Sequence, residues 1–341
     1  MSATVPAPLP PLLSVRDLTV SFPIGKGLFG RTALRAVDGV SLDLARGEIT
    51  GLVGESGSGK TTFGRALLKA APIAAGRVTY RDEEIEHEVV GLDGAALADY
   101  RRRAQLVFQD PYASLSPRMT VRDIIAEPLE VMGLAATRAE ADRRVRAIAA
   151  RCRLNLEHLR RYPHAFSGGQ RQRIAIARAL VAAPRFLVAD EAVAALDVSI
   201  QADVLNLVRE LQRETGLTVL FISHNLAVVA HVCDRVAVMY LGKVVETGPT
   251  RRLFAAPRHP YTRALLSAIP SLDPDDRQRA GRLQGEIPSP IAPPPGCRFH
   301  TRCPLAVARC AAEAPALEPA DRPDHAVACH RWRDAAAGGI A

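Results

Sequence analysis

The chain has 341 residues, enough to bury a sizeable core, and its 48% apolar and 23% charged residues of both signs exclude a disordered chain. No run approaches the roughly twenty apolar residues of a membrane span, since Ile174 to Ala183 is broken by Arg178 and stops at Pro184. The net charge of +8 comes from arginines scattered over many segments without a basic tail, which predicts a solvated surface and no nucleic-acid partner.

Residues 1–12 are a Pro-rich leader without the charge-then-apolar pattern of a secretory signal, so the chain is expected to stay in the cytoplasm. LSVRDLTVSF (13–22) alternates as a half-buried strand does, and AVDGVSLDL (36–44) does so across an Asp-Gly turn signal, with a Gly- and Pro-bearing surface loop between them. EITGLVG (48–54) reads as a short buried strand, followed by a Gly-rich turn and a helix from about Lys60 to Ala71. Residues 93–162 carry helical patterns with one strand, QLVFQ (105–109), which predicts a helical insertion at about 110–165. A helix from Gln170, the strand FLVAD (186–190), a helix over 199–215 and the strand TVLFIS (218–223) then alternate. That order predicts an α/β fold with a parallel sheet covered by helices, closed by RVAVMY and KVVETG. Beyond about Pro270 the composition turns Pro-rich and Cys-containing, marking a small C-terminal module.

Gly54-Glu55-Ser56-Gly57-Ser58-Gly59-Lys60-Thr61, followed by Thr62, fits the phosphate-loop pattern between a buried strand and a helix. Glycines let successive N–H groups curl inward around an anion, and the helix N-terminus adds its positive dipole end. Lys60 is expected on the β- and γ-phosphates of ATP and the Thr61 hydroxyl on Mg²⁺. A random chain of this length shows the pattern roughly once in a hundred tries. The apolar strand ending in Asp190 supplies a carboxylate for the metal, and the next residue, Glu191, is placed to orient or deprotonate the attacking water.

Phe166-Ser167-Gly168-Gly169-Gln170-Arg171-Gln172-Arg173 resembles the signature sequence of ABC ATPases, and it precedes the Asp-Glu strand as in that family. The resemblance covers residues 13 to about 255 and implies a P-loop core with an antiparallel β subdomain. It also implies a head-to-tail dimer in which one subunit's signature caps the γ-phosphate held by the other's phosphate loop. Gln109 resembles the Q-loop glutamine that touches the metal or water, Asp197 the D-loop aspartate at the dimer seam, and His224 the switch histidine. Phe22 is the candidate for stacking on adenine. The family's usual Pro-Thr-Ser-Ala after the catalytic glutamate here reads Ala192-Val193-Ala194-Ala195, and Asn225 replaces the usual Asp after the histidine. These changes predict a looser loop with hydrolysis retained. A catalytically silent regulatory subunit and a soluble ABC protein acting on nucleic acid are the alternatives.

HPYTRALL (259–266) and the region from Gly285 resemble the C-terminal extension of the oligopeptide, dipeptide and nickel importer ATPases. Cys297, Cys303, Cys310 and Cys329 lack the paired C-x2-C spacing of zinc fingers and suit either an iron–sulfur cluster or Zn²⁺. The subgroup resemblance implies a [4Fe-4S] cluster ahead of zinc. It further implies import of peptides, with nickel or another small solute as the second choice, by a peripheral subunit on the cytoplasmic face of the membrane. The implied partners are two permease subunits, a second copy or a related ATPase subunit and, indirectly, an extracytoplasmic solute-binding protein. The expected domains are 13–255 for the ATPase and 256–341 for the extension.

Overall fold

Strand β1 (Leu13–Ile24) buries Leu13 and Val15, then Leu18 and Val20, so its period of two slips by one residue where Asp17 takes φ +49. Its partner β2 (Thr32–Leu44) slips in the same way at Gly39, φ +64. The Asp38-Gly39 pair is thus a bulge inside one long strand and not a turn between two. A computed structural model describes residues 10–24, 32–83, 85–110, 114–194, 196–268 and 285–336. Residues 1–9 of the leader, 25–31 of the expected loop and Ala195 lie outside the described residues.

The buried strand β3 (Ile49–Val53) leads into α1 (Lys60–Leu67), which ends before the expected Ala71 because Lys69 turns to φ +49 and β4 (Ile73–Arg81) begins. β4 and β5 (Glu86–Glu88) were not anticipated, although Val78 and Tyr80 alternate. Together they complete an antiparallel sheet in the order β2-β1-β4-β5. Next come α2 (Gly94–Arg103), β6 (Ala104–Val107), α3 (Val121–Val131) and α4 (Arg138–Arg151). α3 and α4 form the expected helical insertion, each N-capped by a threonine, Thr120 on Asp123 N–H and Thr137 on Glu140 N–H.

The remaining core elements are α5 (Gly168–Leu180), β7 (Phe186–Asp190), α6 (Val198–Thr215), β8 (Thr218–Ile222), α7 (Leu226–Val232), β9 (Arg235–Tyr240) and β10 (Lys243–Pro249). Strands β9, β3, β8, β7 and β6 run parallel side by side, and successive residues face opposite hydrophobic layers. Ile49 and Val53 face the helical insertion's layer, while Leu52 faces the antiparallel sheet and Phe63 of α1. The chain then forms α8 (Thr250–Ala255), α9 (Pro260–Ser267), α10 (Ala308–Ala312), β11 (Glu318–Arg322), β12 (His325–Val327) and α11 (Trp332–Ala336). β12 pairs with β10, so the C-terminal segment adds a hairpin to the edge of the core sheet. Among the described residues no helix is long and apolar enough to cross a membrane.

Candidate functional site

The loop between β3 and α1 lies at the C-terminal ends of the parallel strands, where β3 is flanked by β8 and β9. Its glycines are needed for two different reasons. Gly54 and Gly59 hold φ +150 and +101, and a Cβ on either would stand 2.1 Å from a carbonyl oxygen, of Met239 or Ala36 respectively. Gly57, at φ +76, has none of the described residues within 4 Å of where its Cβ would be, so there the backbone angle demands glycine. Lys60 is 6% exposed and its ammonium donates to the carbonyls of Gly54 (2.9 Å) and Glu55 (2.8 Å) and to Ser58 Oγ (3.2 Å). Burial lowers its pKa against the pull of Glu191 and Asp190.

Thr61 Oγ1 donates to Asp190 Oδ1 over 2.9 Å, which brings the α1 hydroxyl and the β7 carboxylate together as hard oxygen donors of the kind Mg²⁺ takes. Thr62 follows on α1, half-buried. Burial raises the Asp190 pKa, with the Thr61 hydrogen bond opposing. Glu191, at φ +46, accepts from Gln109 Nε2 on Oε2 (2.7 Å) and from His224 Nδ1 on Oε1 (3.1 Å). Three residues from three strand ends thus meet at one carboxylate. His224 is exposed, and Gln109 lies just beyond β6, so the expected strand stops short of it.

Ser167 caps α5 in a reciprocal box: its Oγ accepts from Gln170 N–H, and the Gln170 side chain accepts from Ser167 N–H at 3.0 Å. Gly169 packs under Ile200 of α6, where a Cβ would stand 2.3 Å from Cγ2. Ser167 is exposed, and among the described residues no hydrogen bond joins it to the phosphate loop. Asp197 caps α6 without a side-chain bond and is exposed beside Val198, itself 83% exposed. Phe22 is half-buried against the antiparallel sheet's core and pairs with Leu34, two residues from the Ala36 carbonyl that meets Gly59. In the altered loop Ala192 and Val193 are buried, so apolar packing stands in place of the family's proline and threonine, while Ala194, at the serine position, is exposed and its N–H donates to Glu191 O. Asn225 caps α7 by accepting from Ala227 and Val228 N–H, a role Asn and Asp fill equally well.

Residues 37–194 match the family model described as ABC transporter, and residues 245–310 match the oligopeptide/dipeptide transporter C-terminal region. A putative peptide import ATP-binding protein of Brucella ovis is 52% identical over 94% of this chain and 98% of that protein. The di/tripeptide transport ATP-binding protein DppF of Pseudomonas aeruginosa is 48% identical over 94% and 97%. The chain belongs to the ATP-binding subunits of ABC transporters. It is an ATPase of the family that hydrolyses ATP to drive transport. The dimeric bacterial ABC transporter cassette MJ0796 has the same fold, with a TM-score of 0.61 at 27% identity over 70% of this chain and 99% of that one.

In this ATPase the four C-terminal cysteines are free thiols that line one small cavity with His259, His300 and His330. Burial pushes the Cys303 and Cys329 thiols up to about 11 and about 12, and raises Cys297 as well. Among the described residues no group of three or more His, Cys, Asp or Glu side chains is arranged to hold a metal ion. The iron–sulfur and zinc expectations therefore find no ready-made chelate. Zinc would need every sulfur about 2.3 Å from one point. One feature does fit a bound group. His259 Nδ1 accepts from Tyr261 N–H at 3.0 Å, which puts the ring proton on Nε2, and that buried nitrogen has no hydrogen-bond partner among the described residues.

Sequence reasoning passed over the residues that tie this segment to the ATPase core. Glu246 on β10 is fully buried, accepts from Arg258 and His259 N–H, and pairs with His325 Nε2 at 2.8 Å. Arg298 donates to Asp38 on the β2 bulge and to the Leu241 carbonyl. HPY belongs to the HPYTRALL segment and Arg302 precedes Cys303, but nothing local marks their partners.

Proposed function

We propose that this ATPase powers peptide uptake as one half of a nucleotide sandwich on the cytoplasmic face of the membrane. A second copy or a related ATPase subunit supplies the other half, beneath two permease subunits that receive cargo from an extracytoplasmic binding protein. The carrying observation is the meeting of Gln109, Glu191 and His224 beside the Lys60 and Thr61–Asp190 pair. The relatives named for peptide and di/tripeptide transport support the cargo class.

In this reading Lys60 neutralises the β- and γ-phosphates within the inward N–H groups of Gly54, Gly57 and Gly59. Thr61, Asp190 and Gln109 would hold Mg²⁺, which would supply positive charge against that on the phosphates. Glu191 takes the proton of the attacking water, freed from Gln109 and His224 when nucleotide draws those two aside, and His224 contacts the γ-phosphate. Phe22 stacks on adenine. Ser167, Gly168, Gly169 and Gln170 present a helix N-terminus to the partner's nucleotide, supported by the lack, among the described residues, of a hydrogen bond from Ser167 to its own phosphate loop and by the dimeric relative. Asp197 sits at the seam, where exposed Val198 would be covered. A groove beside Gln109, lined by Phe108, Pro128, Val131 and Met132, suits an apolar segment of the permease.

The Cys297, Cys303, Cys310 and Cys329 cavity is read as a thiolate site for a [4Fe-4S] cluster, ahead of Zn²⁺. A cluster asks each sulfur to meet a different iron, so the thiols need no common point. Its positive irons would convert thiols held high by burial into thiolates, releasing protons. Anaerobic purification tests this: iron and acid-labile sulfide with absorbance near 400 nm are expected, whereas stoichiometric zinc without sulfide overturns the cluster.

For the main reading, the test is ATP-dependent peptide uptake by vesicles carrying the assembled transporter. Lys60→Ala should abolish ATP binding and uptake; normal uptake by that variant would sink the proposal.

A further inference from the structure

The phosphate loop is held from outside by the C-terminal segment, and the hold falls on one peptide. Glu55 follows Gly54, and its carbonyl is one of the two backbone acceptors that fix the Lys60 ammonium, at 2.8 Å. The N–H of the same residue donates to Tyr261 Oη at 2.8 Å, across 206 positions of sequence. Its carboxylate takes a two-pronged bond from Arg302, Nη1 to Oε2 at 2.7 Å and Nη2 to Oε1 at 3.1 Å, across 247 positions. The Arg302 side chain is 4% exposed and that of Glu55 is 23% exposed, so water competes little for this pair.

Neither clamp residue is free to drift. Tyr261 opens α9 and packs on Tyr240 at the end of β9, ring centroids 4.7 Å apart, with Phe299 at 5.3 Å from each. The Arg302 guanidinium lies over the Tyr240 ring at 5.9 Å. Arg302 also stands one residue before Cys303, in a tight turn whose N–H bonds run back to Phe299 and Cys297. The same aromatic block therefore borders the cysteine cavity, through Phe299, and the phosphate loop, through Tyr261.

We propose that Arg302 and Tyr261 are positioning residues for ATP: acting through Glu55, the C-terminal segment sets the shape of the phosphate loop of its own chain. The inference rests on Lys60 being the phosphate-binding amine. Neither residue touches nucleotide; each holds the Glu55 peptide so that the loop is already curled when ATP arrives. Ordering the loop at the moment of binding instead weakens affinity while leaving the chemical step alone.

Substitution of Glu55 separates this from simple electrostatics. Removing a negative charge from a phosphate loop by itself strengthens ATP binding, whereas removing the anchor of the clamp weakens it. The experiment is titration of the full chain with a fluorescent trinitrophenyl-ATP in Mg²⁺, alongside KM and kcat in the assembled transporter. Glu55→Gln and Arg302→Met are each expected to weaken binding about tenfold, and the double variant to be no weaker than the worse single one. KM should rise with kcat within about twofold, Arg302→Lys should recover part of the loss, and Tyr261→Phe should be milder. Unchanged or tighter binding by Glu55→Gln, losses that multiply in the double variant, or a fall in kcat at constant KM would each overturn the clamp. Should Arg302→Met fail to fold, as judged by circular dichroism, the more exposed Glu55→Gln decides alone. Lys60→Ala is the control for the parent reading: if it binds ATP normally that reading falls, whereas loss of ATP binding by Lys60→Ala beside an unaffected Glu55→Gln removes only the clamp.

Discussion

Glu191 is held in the left-handed region at φ +46 with its N–H bonded to Ile222 O, so its carboxylate is aimed by the backbone and by two side-chain donors together. Replacement by glutamine keeps the shape and removes the base. Glu191→Gln is expected to lower ATP turnover at least about a hundredfold with nucleotide affinity retained, read as phosphate release against ATP binding. The two kinds of glycine in the phosphate loop make a sharper comparison. Gly57→Ala strains only φ, about 1 kcal/mol, and should fold. Gly59→Ala adds a clash with the Ala36 carbonyl and should cost clearly more in denaturant unfolding, because backbone on both sides must yield. Lys60, Asp190 and Ser167 stood out in the sequence because each lies in a motif of a few consecutive positions. Arg302 and Tyr261 did not, because their partner lies more than two hundred residues away.

At the scale of elements, the patterns that named β3, β7 and β8 were runs of buried residues, and all three stand side by side in the sheet. Alternation misled where a bulge broke it. Asp38-Gly39 carries a turn composition, yet Gly39 N–H donates to Thr19 Oγ1 and the strand continues. β4 escaped because its first half, Ile73 to Arg77, is mostly exposed and carries no apolar period. α5 starts at Gly168, two residues before the expected Gln170, because Ser167 and Gln170 close a capping box, and that role as a helix stop is separate from any contact with nucleotide. Ser167→Ala should lower stability by about 1 kcal/mol in urea unfolding. A far larger fall in ATPase rate of the assembled transporter, beyond what that loss explains, is expected from the trans reading.

For the whole molecule, the C-terminal segment completes the core sheet, and its composition shift near Pro270 did not announce this. The buried pair of Glu246 (0% exposed side chain) with His325 (6%) joins β10 to β12. Removing the histidine leaves a buried carboxylate short of a partner, so His325→Ala is expected to destabilise the chain by about 3 kcal/mol in equilibrium unfolding. Asn in its place, still able to donate, should recover part of that.

The hairpin of β11 and β12 also bears on the birth of the protein. Glu246 leaves the ribosome 79 residues ahead of His325, and through that interval β10 has no neighbour on its outer side and its acid has no imidazole. Synthesis at about 5–20 residues per second makes the wait several seconds long. Nascent chains held on the ribosome before β12 has emerged should accordingly be cut by protease at β10, and emergence of β12 should seal the sheet.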